Sequence, residues 1–246
     1  MDHWSGSQPM GILRLLTMAL WLWRRSFWLL LGIVLVFEGV ATLPVGRHPG
    51  WGFAAALPAQ WMLGNLMLAA FTYAVSHRLV GDPKGLRDSY LYAVRALIPL
   101  TLTTALAGLL IVGGVFLLIV GAFVFALWTN FTVMVFVVEG KRYTSAIRRS
   151  KYLVGDGVWV RVLLVGLVGV PLGILPADAL THLIQALLRE SHTLSWVLVW
   201  VWQAAWMTLT MSLVLSVNMA IYLDARVRRD GFGPETLAQE LLVRRG

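Results

Sequence analysis

The chain has 246 residues, 59% of them hydrophobic and 13% charged, with no cysteine and a formal net charge of +8. Soluble domains carry roughly 25% charged residues, so the deficit here, with apolar runs of about twenty residues along the whole length, describes a chain built for lipid. The absence of cysteine excludes disulfides, thiolate metal sites and cysteine nucleophiles, and the basic residues sit at the ends of apolar runs, which points to membrane topology rather than to a nucleic-acid partner.

The first basic segment, Gly11 to Arg25, precedes an apolar run over 26–45 that is interrupted by Glu38. It is longer than the roughly 7–15 residues of a secretory h-region and further apolar runs follow, so it is read as a first span. The loop from Gly46 to Gly50 holds Pro49 and two glycines, and a second span is expected over 57–76, closed by His77 and Arg78. Ala96 to Val138 then passes without a charge. As one helix it would measure about 65 Å, twice the roughly 30 Å of the hydrocarbon, so it must fold into two spans. These are placed over 96–117 and 119–138, with the turn near Gly113-Gly114 or Gly121.

A further basic segment runs from Glu139 to Asp156, and a fifth span is expected over 157–175, ended by Pro176. Leu180, Leu183, Ile184, Leu187 and Leu188 follow at helical spacing and predict a helix lying flat at the outer interface. The sixth span, 194–223, is uncharged and carries Trp196, Trp200, Trp202 and Trp206 in its outer half. Of the 20 Lys and Arg, all but Arg47 and Arg189 fall on one side of this scheme, which puts both termini in the cytoplasm. The expected fold is all-α: one polytopic transmembrane helical bundle over 1–246, with six spans as three hairpins. Basic, partly apolar elbows, Gly11 to Arg25, Leu86 to Arg95 and Tyr143 to Val154, precede the inward-starting spans. They fit an ancient triplication, or simply the need of every cytoplasmic entry for basic residues.

The stretch Val137-Val138-Glu139-Gly140-Lys141, followed by Ser145-Ala146-Ile147-Arg148-Arg149-Ser150-Lys151-Tyr152-Leu153-Val154, Gly155 and Trp159, has an acidic end to span four, a small and basic helix, a glycine and an aromatic entry. It resembles the six-span YciC-like bacterial membrane proteins and the membrane domain attached to some glycerophosphodiester phosphodiesterases. The proline-glycine pair usual before span four is absent, with Gly121 alone at a comparable distance. The resemblance implies a helical fold and a location in the bacterial inner membrane. It carries over no catalytic residue.

Glu38 lies about 18 Å into its span if the helix starts at Ser26, and is read either as a substrate- or proton-handling group or as a protonated or paired structural carboxyl. Asn65, Asn130, Gln203 and Asn218 lie within spans, as interhelical hydrogen-bonding groups or as a polar pathway. Gly169 and Gly173 make a G-x-x-x-G beside Pro171, a pattern for close helix packing or for a broken helix. His48, His182 and His192 have no cage-like spacing, so no metal or other cofactor is expected. Asp156-Gly157 reads as a helix stop, and nucleophile-elbow and zincin motifs are missing. Arg148, Arg149 and Lys151 lie largely off the apolar face of their helix and are expected to meet anionic lipid headgroups. The expectation is therefore a non-enzymatic inner-membrane protein assisting lipid or envelope homeostasis, with membrane lipids as partners. The alternatives are a small permease or lipid transporter and, behind it, a lipid enzyme.

Overall fold

A chain in hydrocarbon must satisfy each backbone N–H and C=O within its own segment, and helices do so. The computed structural model describes residues 10–41, 51–116, 118–187, 192–231 and 233–243, and among these there is no strand. Ten helices follow in order among the described residues: α1 Ile12–Ala41, α2 Trp51–Leu79, α3 Leu86–Arg95, α4 Leu97–Val115, α5 Leu118–Thr129, α6 Thr132–Met134, α7 Tyr143–Val154, α8 Val158–Leu187, α9 His192–Asp230 and α10 Pro234–Val243. A π-helical turn, Val135–Glu139, continues α6 and ends at Gly140 in the left-handed region, φ 68°.

Five stretches of helix among the described residues are long and apolar enough to cross a membrane: Ile12–Phe37, Leu97–Val115, Val120–Glu139, Val158–Leu187 and Val197–Asp230. The protein is a multi-pass helical membrane protein. The helix α2, taken from the sequence as the second span, is not among the five. The uncharged run from Ala96 does divide, between Val115 and Leu118, directly after Gly113 and Gly114. Gly114 is required there, because a Cβ would come within 2.7 Å of the Ala122 backbone nitrogen.

Two of the three expected elbows are separate helices, α3 and α7, with the expected bounds. The third is not. Gly11 to Arg25 holds no helix breaker after Gly11, and α1 runs unbroken from Ile12 through Arg24 and Arg25. The flat outer helix is also corrected, because α8 continues through both Pro171 and Pro176 to Leu187. Pro176 has no N–H for the Leu172 carbonyl, and the Trp206 indole of α9 donates to that carbonyl at 3.1 Å instead. A neighbouring helix has thereby replaced the bond the proline removes.

The helices α1 and α8 both pack on α9, α4 packs on α5, and α2 packs on α1 and α3, while α7 lies across α4 and α5. Burial concentrates at one end of this bundle, where Phe71, Phe131, Met134, Leu153, Met219 and Tyr222 are enclosed. Toward the other end α8 leaves Leu164, Leu167, Val168, Val170 and Leu175 exposed, an apolar surface suited to lipid.

Candidate functional site

The buried end is also the charged end. The last turns of α9 carry Asp224, Arg226, Arg228, Arg229 and Asp230, and each of these side chains meets a partner on another element. Glu139, delivered by the π-helical turn, is 4% exposed at its side chain. It accepts from Arg149 Nε at 2.8 Å and from the Tyr222 hydroxyl at 3.2 Å, with Lys141 Nζ at 3.1 Å and Arg226 Nε at 3.6 Å. Arg149 also reaches Asp230 with two nitrogens, and Arg226 pairs with both carboxylate oxygens of Glu240 on α10, at 2.8 Å each. Three cations and three carboxylates thus neutralise one another. A charge taken out of water is tolerable only when paired in this way. Burial works against the Arg149 charge, yet its bonds to Asp230 and Glu139 hold the guanidinium above the usual arginine range.

A second cluster centres on Asp224, whose side chain is fully buried. Its carboxylate accepts from Arg161 of α8, from Arg228 Nε at 2.7 Å and from the Met10 backbone N–H at 2.6 Å. The two arginines in turn donate to the Met10 carbonyl, at 3.3 and 2.9 Å. One carboxylate therefore joins the entry to α1, the start of α8 and the end of α9. Two cations on one anion leave this cluster with a net positive charge. In a third pair, Arg229 binds Asp156, at 2.7 Å, in the turn between α7 and α8. Asp156 there takes φ 49° and Gly157 φ 80°, so the Asp156-Gly157 stop is where the sequence put it.

No family model, no curated protein and no solved structure matches this chain. No family model therefore supports the resemblance of Val137 to Trp159 to the YciC-like proteins, and what bears on function is the residues themselves.

Of the three expected headgroup ligands, Arg148 and Lys151 are exposed, with Lys151 Nζ 3.9 Å from the centre of the Trp128 ring. Arg149 turns inward to Glu139 and Asp230. The predicted apolar face of α7 buries Ala146, Ser150, Leu153 and Val154, whereas Tyr143 is 42% exposed. Ser150 accepts from the Phe131 N–H at 3.0 Å, which closes the break between α5 and α6.

The structure brings two of the intramembrane amides together: Asn130 Nδ2 donates to Asn218 Oδ1 at 3.3 Å, between α5 and α9. Gln203 donates to Thr181 at 3.3 Å and ties α9 to α8, while Asn65 donates to the Trp61 carbonyl of its own helix. The hydroxyls of Thr104, Thr208, Thr210 and Ser216 likewise donate to carbonyls four residues back. Glu38 falls in α1, and its side chain, like His48 and the side chain of His192, lies outside the described residues. Gly169 packs α8 tightly on α9, since a Cβ there would sit 2.9 Å from Val214 Cγ2. Among the described residues, no group of His, Cys, Asp and Glu is arranged to hold a metal.

By sequence alone Arg226, Arg228 and Arg229 count only toward the one-sided excess of Lys and Arg that sets topology. Asp224 and Asp230 were the available signal, because an acidic residue four positions from an arginine on either side predicts paired rather than solvated charge.

Proposed function

We propose that the chain is a non-enzymatic inner-membrane protein, six spans arranged as three hairpins with both termini in the cytoplasm, that holds anionic lipid at its charged end. The observation that carries this reading is the division of labour on α7. Arg149 is consumed by the internal network, whereas Arg148 and Lys151 are exposed, Lys151 beside the Trp128 ring. Outward cations at the mouth of a cytoplasmic leaflet attract anionic headgroups, each by about 1 kcal/mol. The resemblance to YciC-like proteins supports the same setting, and the meeting of Met10 with Asp224 and Arg228 puts the N- and C-terminal segments at one end of the bundle. Counting α2 as a span supplies the sixth crossing.

The test is the double change Arg148→Gln with Lys151→Gln, leaving Arg149 in place. The protein should insert and melt as before, yet retain several-fold less phosphatidylglycerol or cardiolipin in native mass spectrometry. An unchanged lipid profile would leave these cations with a role in topology alone.

A small permease or lipid transporter is the second reading, favoured by two cavities of about 260 and 420 Å³ along α8 that share Asn130 and Gly166. Transport of labelled lipid or solute across proteoliposomes, abolished by Asn130→Leu, would promote it over the first.

A further inference from the structure

An apolar slot of about 280 Å³ lies between α1, α8 and α9, on the side of α8 away from α5. Leu15 and Leu16 form one wall, Leu164, Val168 and Leu172 another, and Val217 and Ile221 part of the third. Gly169 also borders it, where its missing Cβ lets the α8 backbone approach Val214. Arg161 closes the charged end of the slot, and behind it stands the cluster of Arg161, Arg228 and Asp224, with its surplus positive charge. From Arg161 to Leu172 the helix rises about 16 Å, which is the depth of one leaflet, half of a hydrocarbon core about 30 Å thick.

We infer that this slot holds one acyl chain of an anionic phospholipid, with the phosphate bound by Arg161 and Arg228. The inference deepens the lipid-binding reading and rests on it, but it places a second site on a different face from α7. A guanidinium has five N–H donors, and the bonds to Asp224 and Met10 use two on each arginine. The remaining donors can meet phosphate oxygens. Both side chains are accessible, Arg161 at 22% and Arg228 at 30% exposure. Basic pockets between transmembrane helices at this level bind acidic headgroups, and the surplus charge selects an anionic lipid over a zwitterionic one of equal chain length.

The experiment uses the full chain, delipidated in detergent and titrated with phosphatidylglycerol or phosphatidylcholine of matched chains, with bound lipid counted by native mass spectrometry. Val168 is 63% exposed, so Val168→Trp fills the slot without crowding the core. Leu167→Trp is the control, because Leu167 is 60% exposed and borders the 420 Å³ cavity instead. Val168→Trp should lower phosphatidylglycerol retention where Leu167→Trp does not. Arg228→Gln, which leaves Arg161 with Asp224, should weaken it about fivefold, the factor equivalent to about 1 kcal/mol for one cation at the leaflet. Equal retention of the two lipids by the unaltered protein, or equal effects of the two tryptophans, would overturn the inference. If only the Arg148 and Lys151 changes reduce binding, the slot proposal falls and the α7 reading stands; if only Val168→Trp and Arg228→Gln do, the reverse holds.

Discussion

Asp224 is the residue whose loss should be felt most. Its carboxylate holds Arg161, Arg228 and the Met10 N–H, all at a position closed to solvent. Asp224→Asn would leave two arginines facing each other over a neutral group, and breaking a buried pair costs about 3–5 kcal/mol. A thermal melt in detergent should show it as a large fall in Tm. Arg228→Gln, at a more exposed site, should cost far less. Tyr90 of α3 gives a pH signature of its own. Burial pushes its hydroxyl up to about 12, and it donates to the Ile33 carbonyl at 2.5 Å. The neutral form is the one the fold prefers, so its contribution is complete below the unfolded value of about 10 and is lost as pH rises through 12. The melting temperature of the unaltered protein should fall more steeply across that interval than that of Tyr90→Phe. Parallel curves would deny the hydroxyl this role.

Helix α8 shows how an element can override its own residues. Two prolines would end a helix in water, where the freed carbonyls find solvent and the chain gains by turning. In lipid no such donor exists, and the helix persists where a neighbour supplies one, as Trp206 does for Leu172. Trp206→Phe should therefore destabilise the protein by about 1 kcal/mol. In a Pro176→Ala background, where residue 176 regains an N–H for Leu172, the same change should cost less. Equal costs in the two backgrounds would mean that the indole acts through packing alone. The π-helical turn is the opposite case, because the sequence offers no periodicity that announces it. It is visible only from its result, Glu139 enclosed among Arg149, Tyr222 and Arg226.

For the whole molecule, the topological prediction rests on the distribution of Lys and Arg. A Cys-free chain allows a direct check with single cysteines at Thr144 in α7 and His182 near the end of α8, both exposed. Ser150 is unsuitable, being buried and bonded to the Phe131 N–H. An impermeant maleimide should reach Thr144→Cys and His182→Cys from opposite sides of oriented vesicles. Labelling of both from one side would refute the proposed orientation.

That the chain is helical and enters the membrane, that the run from Ala96 divides near Gly114, and that α3 and α7 stand apart from the spans are all legible in the amino-acid sequence. These properties follow from hydropathy, length and local backbone preference, which each segment carries within itself. Closure of the bundle is what lets α8 survive Pro176 and turns Arg149 inward, because the partners concerned lie on other helices. The reason is common to both: the free energy of a helix break or a buried charge depends on which donor or counter-charge lies opposite. Trp206 is 34 positions from Leu172, Asp224 is 63 from Arg161, and Asp230 is 81 from Arg149. Separations of that size leave no mark on the local pattern and become neighbours only when the bundle closes.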